Sequence, residues 1–185
     1  EHEDGRLIMM ISDGMGSGSL ASCESTLMID TMEELLDAGF DPSYGITFSN
    51  DCISAKNSGR CFTTFDMGII DLYSGELTQY KQGAAPTYII HEGDTEVLRG
   101  ASLPIGVLES AGCDVIHQEL QPEDRVVMVS DGALGDEDEM QEIISTLKTD
   151  DCKETLDRIV SQVLFRCKGK LEDDVTVIVA KLEIA

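Results

Sequence analysis

Leu7-Ile8-Met9-Met10-Ile11-Ser12-Asp13-Gly14-Met15-Gly16-Ser17-Gly18 reads as an apolar strand that ends on an acid and a glycine-rich turn. The design recurs in Arg125-Val126-Val127-Met128-Val129-Ser130-Asp131-Gly132. A third acid, Asp174, stands directly before the apolar run Val175 to Leu182. A carboxylate at a strand end is held by a rigid scaffold and can face a cleft, and hard divalent cations prefer such oxygen ligands. Taken singly, Asp-Gly at a strand end is ordinary turn chemistry, because Asp caps its own turn and Gly takes positive φ. Ser-Asp-Gly used twice, with Asp174 in a like setting, raises the metal reading without settling it.

Working outward, the turn after Asp13 leads into a helix predicted from Ser19 to Ala38. Its Met28, Met32, Leu35 and Leu36 fall on one face, and Gly39 is its stop signal. Leu27 and Ile29 lie off that stripe, so the helix is either more deeply buried or carries a partner-binding face. A second helix is predicted to start near Pro42-Ser43. Strands follow at Phe62 to Leu72, Glu76 to Lys81, Thr87 to His91, Thr95 to Leu98, Cys113 to Leu120 and Arg125 to Ser130. Met140, Ile143, Ile144 and Leu147 mark a helix, and another is predicted from Cys152 to Cys167, with Arg166 and Lys168 at its carbonyl end. Helices early, strands in the middle, helices late and a closing strand argue an α+β fold of two stacked antiparallel sheets covered by helices. Asp4-Gly5 before the first strand is a hairpin signal, which implies that a preceding strand of the sheet is truncated.

The chain's 185 residues fit a single domain with a core of its own. No stretch approaches the ~20 apolar residues of a membrane span, so a cytoplasmic chain is expected, or the cytosolic part of a membrane protein. A net charge of −23 makes nucleic acid and anionic lipid poor partners. Cys23, Cys52, Cys61, Cys113, Cys152 and Cys167 contain no C-x-x-C pair and read as reduced, mostly buried thiols. His2, His91 and His117 have no nucleophile motif beside them and read as strand or surface residues. Gly14-Met15-Gly16-Ser17-Gly18 lacks the lysine of a phosphate loop, and no EF-hand spacing exists for calcium. Asp66, inside Phe65 to Ile70, is expected on a solvated face rather than near the site. Asp136-Glu137-Asp138-Glu139 is expected as a solvated helix start.

Ile11 to Gly16, Val129 to Gly132 and Asp173 to Val177 resemble, in order, signature motifs of the PPM-type metal-dependent phosphatases. Thr64 to Leu72, Gly83-Ala84-Ala85-Pro86 and Leu103-Pro104-Ile105-Gly106 are most similar to the stage II sporulation protein E group within them. The resemblance runs from about Leu7 to Leu182. It implies an α/β/β/α sandwich and a protein serine/threonine phosphatase. In that family Asp13 would bridge two Mn²⁺ or Mg²⁺ ions, the Gly14 carbonyl would bind one, and Asp131 and Asp174 would complete the other. Water made acidic between the ions would attack phosphorus, with no phosphoenzyme. The implied substrate is a phosphorylated partner protein of the anti-sigma-factor antagonist type. The group also implies that the helix from Ser19 is a switch and a homodimer face. Met15 stands where some relatives carry a histidine, and the family's upstream strand carries a further acid near the metals. The rival reading is a binding or regulatory module of the same fold without useful catalysis.

Overall fold

The computed structural model describes residues 5–16, 19–57, 62–108, 112–147, 149–168, 170–171 and 173–183. In chain order the elements are β1 (Arg6–Gly14), α1 (Ser19–Asp37), α2 (Pro42–Asn57), β2 (Thr63–Asp71), β3 (Glu76–Gln82), β4 (Thr87–His91), β5 (Asp94–Leu98), β6 (Asp114–Glu119), β7 (Arg125–Val129), α3 (Asp131–Leu134), α4 (Glu137–Ser145), α5 (Cys152–Arg166) and β8 (Val177–Lys181). One sheet has the order β1-β2-β3-β6 and the other β5-β4-β7-β8, with every pairing antiparallel. This is the α+β sandwich that the element order predicts. Asp4 of the hairpin signal, His2, Ser17, Gly18 and Cys61 lie outside the described residues.

Strand alternation sorts the apolar residues into three layers. Met9 and Ile11 of β1 meet Val126 and Met128 of β7 between the sheets. Phe65 and Met67 of β2 pack outward under Met28 and Met32 of α1 and Ile46 and Ile53 of α2. Tyr88, Val127 and Val129 face Met140, Ile144, Ile159 and Val163 of the late helices. Leu27 and Ile29 are half-buried, and Ile29 joins the layer beneath α1, so its apolar surface serves the core.

Local signals explain the helix ends. Gly39 takes φ 80°, and the Phe40 and Gly39 amides donate to the Leu35 and Leu36 carbonyls, a Schellman stop. Asp41 caps α2 by accepting from the Ser43 amide at 2.9 Å. Asp136 caps α4, as its acidic start suggests. The helical stretch after Asp131 breaks at Gly135, whose φ is 61°. Arg166 lies at the end of α5 but bonds the Ala133 and Leu134 carbonyls of α3 rather than its own helix. The thiols depart from expectation. Cys23 is exposed and Cys52, Cys113, Cys152 and Cys167 are only partly buried, because they sit on helix flanks and beside the edge strand β6, which are covered on one side.

Asp66 also departs from expectation. It is buried, with 2% of its surface exposed, because β2 is central in its sheet and covered on both faces. Lys81 Nζ, fully buried, donates to Asp66 Oδ2 at 2.7 Å and to the Ala85 carbonyl at 2.6 Å. Gln79 Nε2 at 2.5 Å and Thr87 Oγ1 at 3.1 Å donate to the same carboxylate. Burial pushes the Asp66 carboxyl up and the Lys81 ammonium down, while their mutual attraction opposes both shifts. Donors on both carboxylate oxygens are the pattern of an ionised acid. Thr87 belongs to β4, so the pair also ties one sheet to the other. Removing one member leaves the other charge buried and unpaired, which costs about 3–5 kcal/mol. Lys81→Met is therefore expected to lower unfolding stability by about that amount in urea melts. The double variant Lys81→Met/Asp66→Asn should recover more than half of the loss. Equal stability of wild type and Lys81→Met would remove the pair from the account.

Candidate active site

The three predicted aspartates reach the same end of the sandwich. Asp13 lies near the end of β1, and Asp131 is separated from the end of β7 by Ser130 alone, at the start of α3. Antiparallel pairing of Val129 with Val177 brings the segment before β8, and with it Asp174, beside Asp131. The serine of each Ser-Asp-Gly unit ties its strand end to a neighbour. Ser12 Oγ donates to the Thr64 carbonyl at 3.0 Å, and the Thr63 hydroxyl donates to the Asp13 carbonyl at 2.9 Å. Ser130 Oγ donates to the Asp174 carbonyl at 3.2 Å and accepts from the Thr176 amide at 3.0 Å. That last bond explains why β8 starts at Val177, two residues later than predicted.

The glycines of these units are not there for positive φ. Neither Gly14 nor Gly132 is in the left-handed region. Each is instead pressed against backbone. A Cβ on Gly14 would stand 2.1 Å from the Ala21 carbonyl oxygen, and one on Gly132 2.2 Å from the Asp174 carbonyl oxygen. Ordinary turn chemistry therefore does not account for them. Close approach does, since it seats the first turn of α1 and the Asp174 segment against the strand ends that carry Asp13 and Asp131.

Asp13, Asp173 and Asp174 line one cleft of about 730 Å³, roofed by Ala21, Ser22 and Ser25 of α1. Asp131 lines a separate cleft of about 270 Å³ with the Gly83 to Pro86 loop and Arg99. Burial raises the Asp13 carboxyl above its ordinary value, and the charges of Asp173, Asp131 and Asp174 raise it further. Burial and Asp173 likewise raise Asp131, while Lys81 pulls it back. The acids thus repel one another at close range. Among the described residues, however, no group of three or more acids, histidines or cysteines converges tightly enough to hold a metal ion. The donor set still fits a hard divalent cation: it is all oxygen, mutually repelling and open to a cleft.

Asp173 is the residue that sequence reasoning left out of the ligand set. It is the leading charged neighbour of both Asp13 and Asp131, and the tandem Asp173-Asp174 was its only signal. His91 lies at the other end of β4, bonded to Asp124 at 2.5 Å, and His117 sits on β6 beside Glu76. Neither histidine is among the residues lining the two clefts.

The fold is that of the PP2C-type phosphatase domains. The chain superposes on the PP2C phosphatase domain and regulatory fragment of SpoIIE from Bacillus subtilis with TM-score 0.88 and 30% identity, over 96% of this chain and 54% of that one. A Mn-presoaked SpoIIE phosphatase domain from the same organism gives TM-score 0.63 and 26% identity, over 100% and 88%. The Mycobacterium tuberculosis serine/threonine phosphatase PstP/Ppp shares the fold at TM-score 0.77 and 20% identity, over 100% and 94%. Residues 3–183 match the family Stage II sporulation protein E (SpoIIE), and the chain belongs to that family. It is 31% identical to Stage II sporulation protein E of Priestia megaterium over 97% of its own length, and 30% identical to that of Bacillus subtilis (strain 168) over 94%. It spans 32% and 22% of those proteins. Among the described residues no helix is long and apolar enough to cross a membrane.

Repulsion between uncompensated carboxylates fixes the sign of a stability test. A carboxyl raised in the folded state favours the protonated form there. Its contribution to stability is therefore intact below the ordinary carboxylate pKa and falls as pH rises from that value through the raised one. In chelator, Asp13→Asn should raise Tm by a few degrees at pH 7, with the gain shrinking towards pH 4. A lower Tm for Asp13→Asn at pH 7 would contradict the repulsion.

Proposed function

We propose that the chain removes phosphate from phosphoserine or phosphothreonine on a partner protein in a Mn²⁺- or Mg²⁺-dependent reaction. The carrying observation is that acids from three separate segments, Asp13, Asp131 and Asp173-Asp174, gather at one end of the sandwich, where burial and the neighbouring acids raise the carboxyls of Asp13 and Asp131. The Asp13, Asp131 and Asp174 carboxylates and the Gly14 carbonyl would hold the ions, with Asp173 beside Asp174 as a further candidate. When bound, the metal would offset the phosphoryl charge and make water acidic enough to act as nucleophile near neutral pH. The chain's own residues do the positioning. Ser12 and Ser130 fix the two strand ends. Gly14 and Gly132 let α1 and the Asp174 segment close on them. Lys81 draws Asp131 back towards its ionised form.

Family membership supports a phosphorylated anti-sigma-factor antagonist as the substrate. Saturating Mn²⁺ should give turnover of such a phosphoprotein, and chelator should abolish it. Asp131→Asn should lose activity by more than the ~10–100-fold typical of an outer-shell change, and Mn²⁺ affinity by calorimetry should fall with it. Full activity in chelator, or wild-type Mn²⁺ affinity in Asp131→Asn, would overturn this reading in favour of a non-catalytic module.

The homodimer expected through the switch helix would use the α1–α2 layer. Phe40, Tyr44 and Phe48 stack there with ring centroids 5.4 and 6.3 Å apart, each more than 40% exposed. Gly14 against Ala21 gives α1 a direct contact with the site. Specific activity should then rise with protein concentration across the range where sedimentation shows monomer becoming dimer. A flat profile across that range would uncouple self-association from catalysis.

A further inference from the structure

We propose that Arg99 is the substrate-binding cation of this phosphatase: its guanidinium, held by Glu137 in the free protein, takes an anionic oxygen of the phosphorylated substrate at the cleft lined by Asp131. The inference rests on the phosphatase reading above.

A chain with a net charge of −23 presents a repelling field to a phosphoserine, which itself carries about −1.5 to −2 at neutral pH. The metal would offset charge at the phosphoryl group itself, and a cation on the chain would add to it where the substrate enters the cleft. Among the described residues lining the cleft of Asp13, Asp173 and Asp174 and the cleft of Asp131, Arg99 is the one cationic side chain. Three other basic side chains are committed elsewhere. Lys81 is fully buried on Asp66 and Ala85. Arg166 is bound to the carbonyls of α3. Arg125 is buried at the far end of β7, where it holds Thr155.

Arg99 is also placed to act. It follows the last residue of β5 and precedes Gly100, whose backbone lies so close to Lys81 that an added Cβ would stand 2.9 Å from the Lys81 Cβ. The Asp114 carboxylate then takes the Ala101 and Ser102 amides, each at 2.6 Å. The segment carrying Arg99 is thus docked on the rigid inter-sheet network, while the side chain itself is 52% exposed. Its Nε and Nη2 both contact the same Glu137 oxygen, Oε1. A guanidinium has five N–H donors in a fixed fork, so one carboxylate oxygen does not exhaust it. Glu137 is 36% exposed, and an ion pair this open contributes little and yields readily to a stronger anion.

Tyr88 provides a second observation at the same place. Its side chain is fully buried and its hydroxyl has no hydrogen-bond partner. Burial and the Glu137 charge push its ionisation up to about 12, while Arg99 opposes them, so all three groups share one neighbourhood.

The test compares wild type, Arg99→Ala, Arg99→Lys and Glu137→Gln as Mn²⁺-loaded protein. Two readouts are taken: Kd for a fluorescent phosphoserine peptide with acidic flanks, by anisotropy, and kcat and KM for that peptide and for p-nitrophenyl phosphate. Arg99→Ala is expected to raise peptide Kd and KM about tenfold with kcat within about twofold. Arg99→Lys should restore part of the loss, and Glu137→Gln should tighten binding. A KM defect with both substrates assigns Arg99 to the phosphoryl group. A defect with the peptide alone assigns it to a flanking carboxylate. Unchanged Kd and KM in Arg99→Ala, beside an active wild type, would overturn the inference and leave the phosphatase reading intact. Arg99-dependent peptide binding without Mn²⁺-dependent hydrolysis in wild type would overturn the phosphatase reading and keep the binding role.

Discussion

Lys81 is sealed between the two sheets with its ammonium on the Asp66 carboxylate and the Ala85 carbonyl, and the acid end of the molecule is arranged around it. The chain leaves the first sheet after Gln82 and enters the second at Thr87. Lys81 pins that crossing from below, and Thr87 closes it by donating to the same carboxylate. Gly100 rests on the Lys81 side chain, which fixes the segment after β5. The Lys81 charge also draws the Asp131 carboxyl down against the pull of its burial. Desolvating two charges costs several kcal/mol, and only excellent geometry with full hydrogen bonding offsets it. With donors on both Asp66 oxygens, the network is a constraint on architecture, joining both sheets, the Gly83 to Pro86 loop and one wall of the Asp131 cleft.

Against that rigid base the carboxylates are held in conflict. Asp13 and Asp131 are partly desolvated and face further negative charge from Asp173, with Asp174 added at Asp13. Such clustering lowers stability in the absence of a cation, the usual trade between stability and a functional site. The scaffold tolerates it because the acids ride on strand ends whose hydrogen bonds do not involve the carboxylates. Ser12, Thr63 and Ser130 bond to backbone, leaving the acid side chains of Asp13 and Asp131 turned to the clefts. Gly14 extends the same arrangement to α1, since its backbone touches Ala21 directly. A displacement of that helix cannot leave the Gly14 position untouched, because no side chain lies between them to absorb it.

Periodicity located the elements well. The stripe of Met28 and Met32, the stop at Gly39 and the start at Pro42 all correspond to observed features. The acids at the ends of β1 and β7 and before β8 were legible because strand ends with Ser-Asp-Gly are a local pattern. What stayed hidden was non-local. Asp66 looked amphipathic because alternation along one strand cannot show that a second sheet covers the other face. Lys81, two strand positions from Gln79, gave no sign that both would converge on Asp66. Arg99 and Glu137 are 38 residues apart and meet only through tertiary packing. Why glycine stands at 14 and 132 was hidden for the same reason: close approach to Ala21 and Asp174 is a property of the assembled layers, not of the turn.

On the proposed reading, the net charge of −23 would give the site a particular kind of selectivity. At physiological ionic strength charges are screened over about 8 Å, so the acidic surface acts mainly on molecules already close to it. A small free phosphate ester meets repulsion at every approach and has little apolar or polar surface to offset it. A phosphoprotein could offset the same repulsion through contacts made elsewhere on its own surface, and the proposed role of Arg99 would then act on its phosphoserine at short range. Discrimination built this way comes as much from rejecting the wrong anion as from holding the right one. The one cation lining the two clefts among the described residues, Arg99, would be enough for that purpose, because its effect is confined to the place where a docked substrate would arrive.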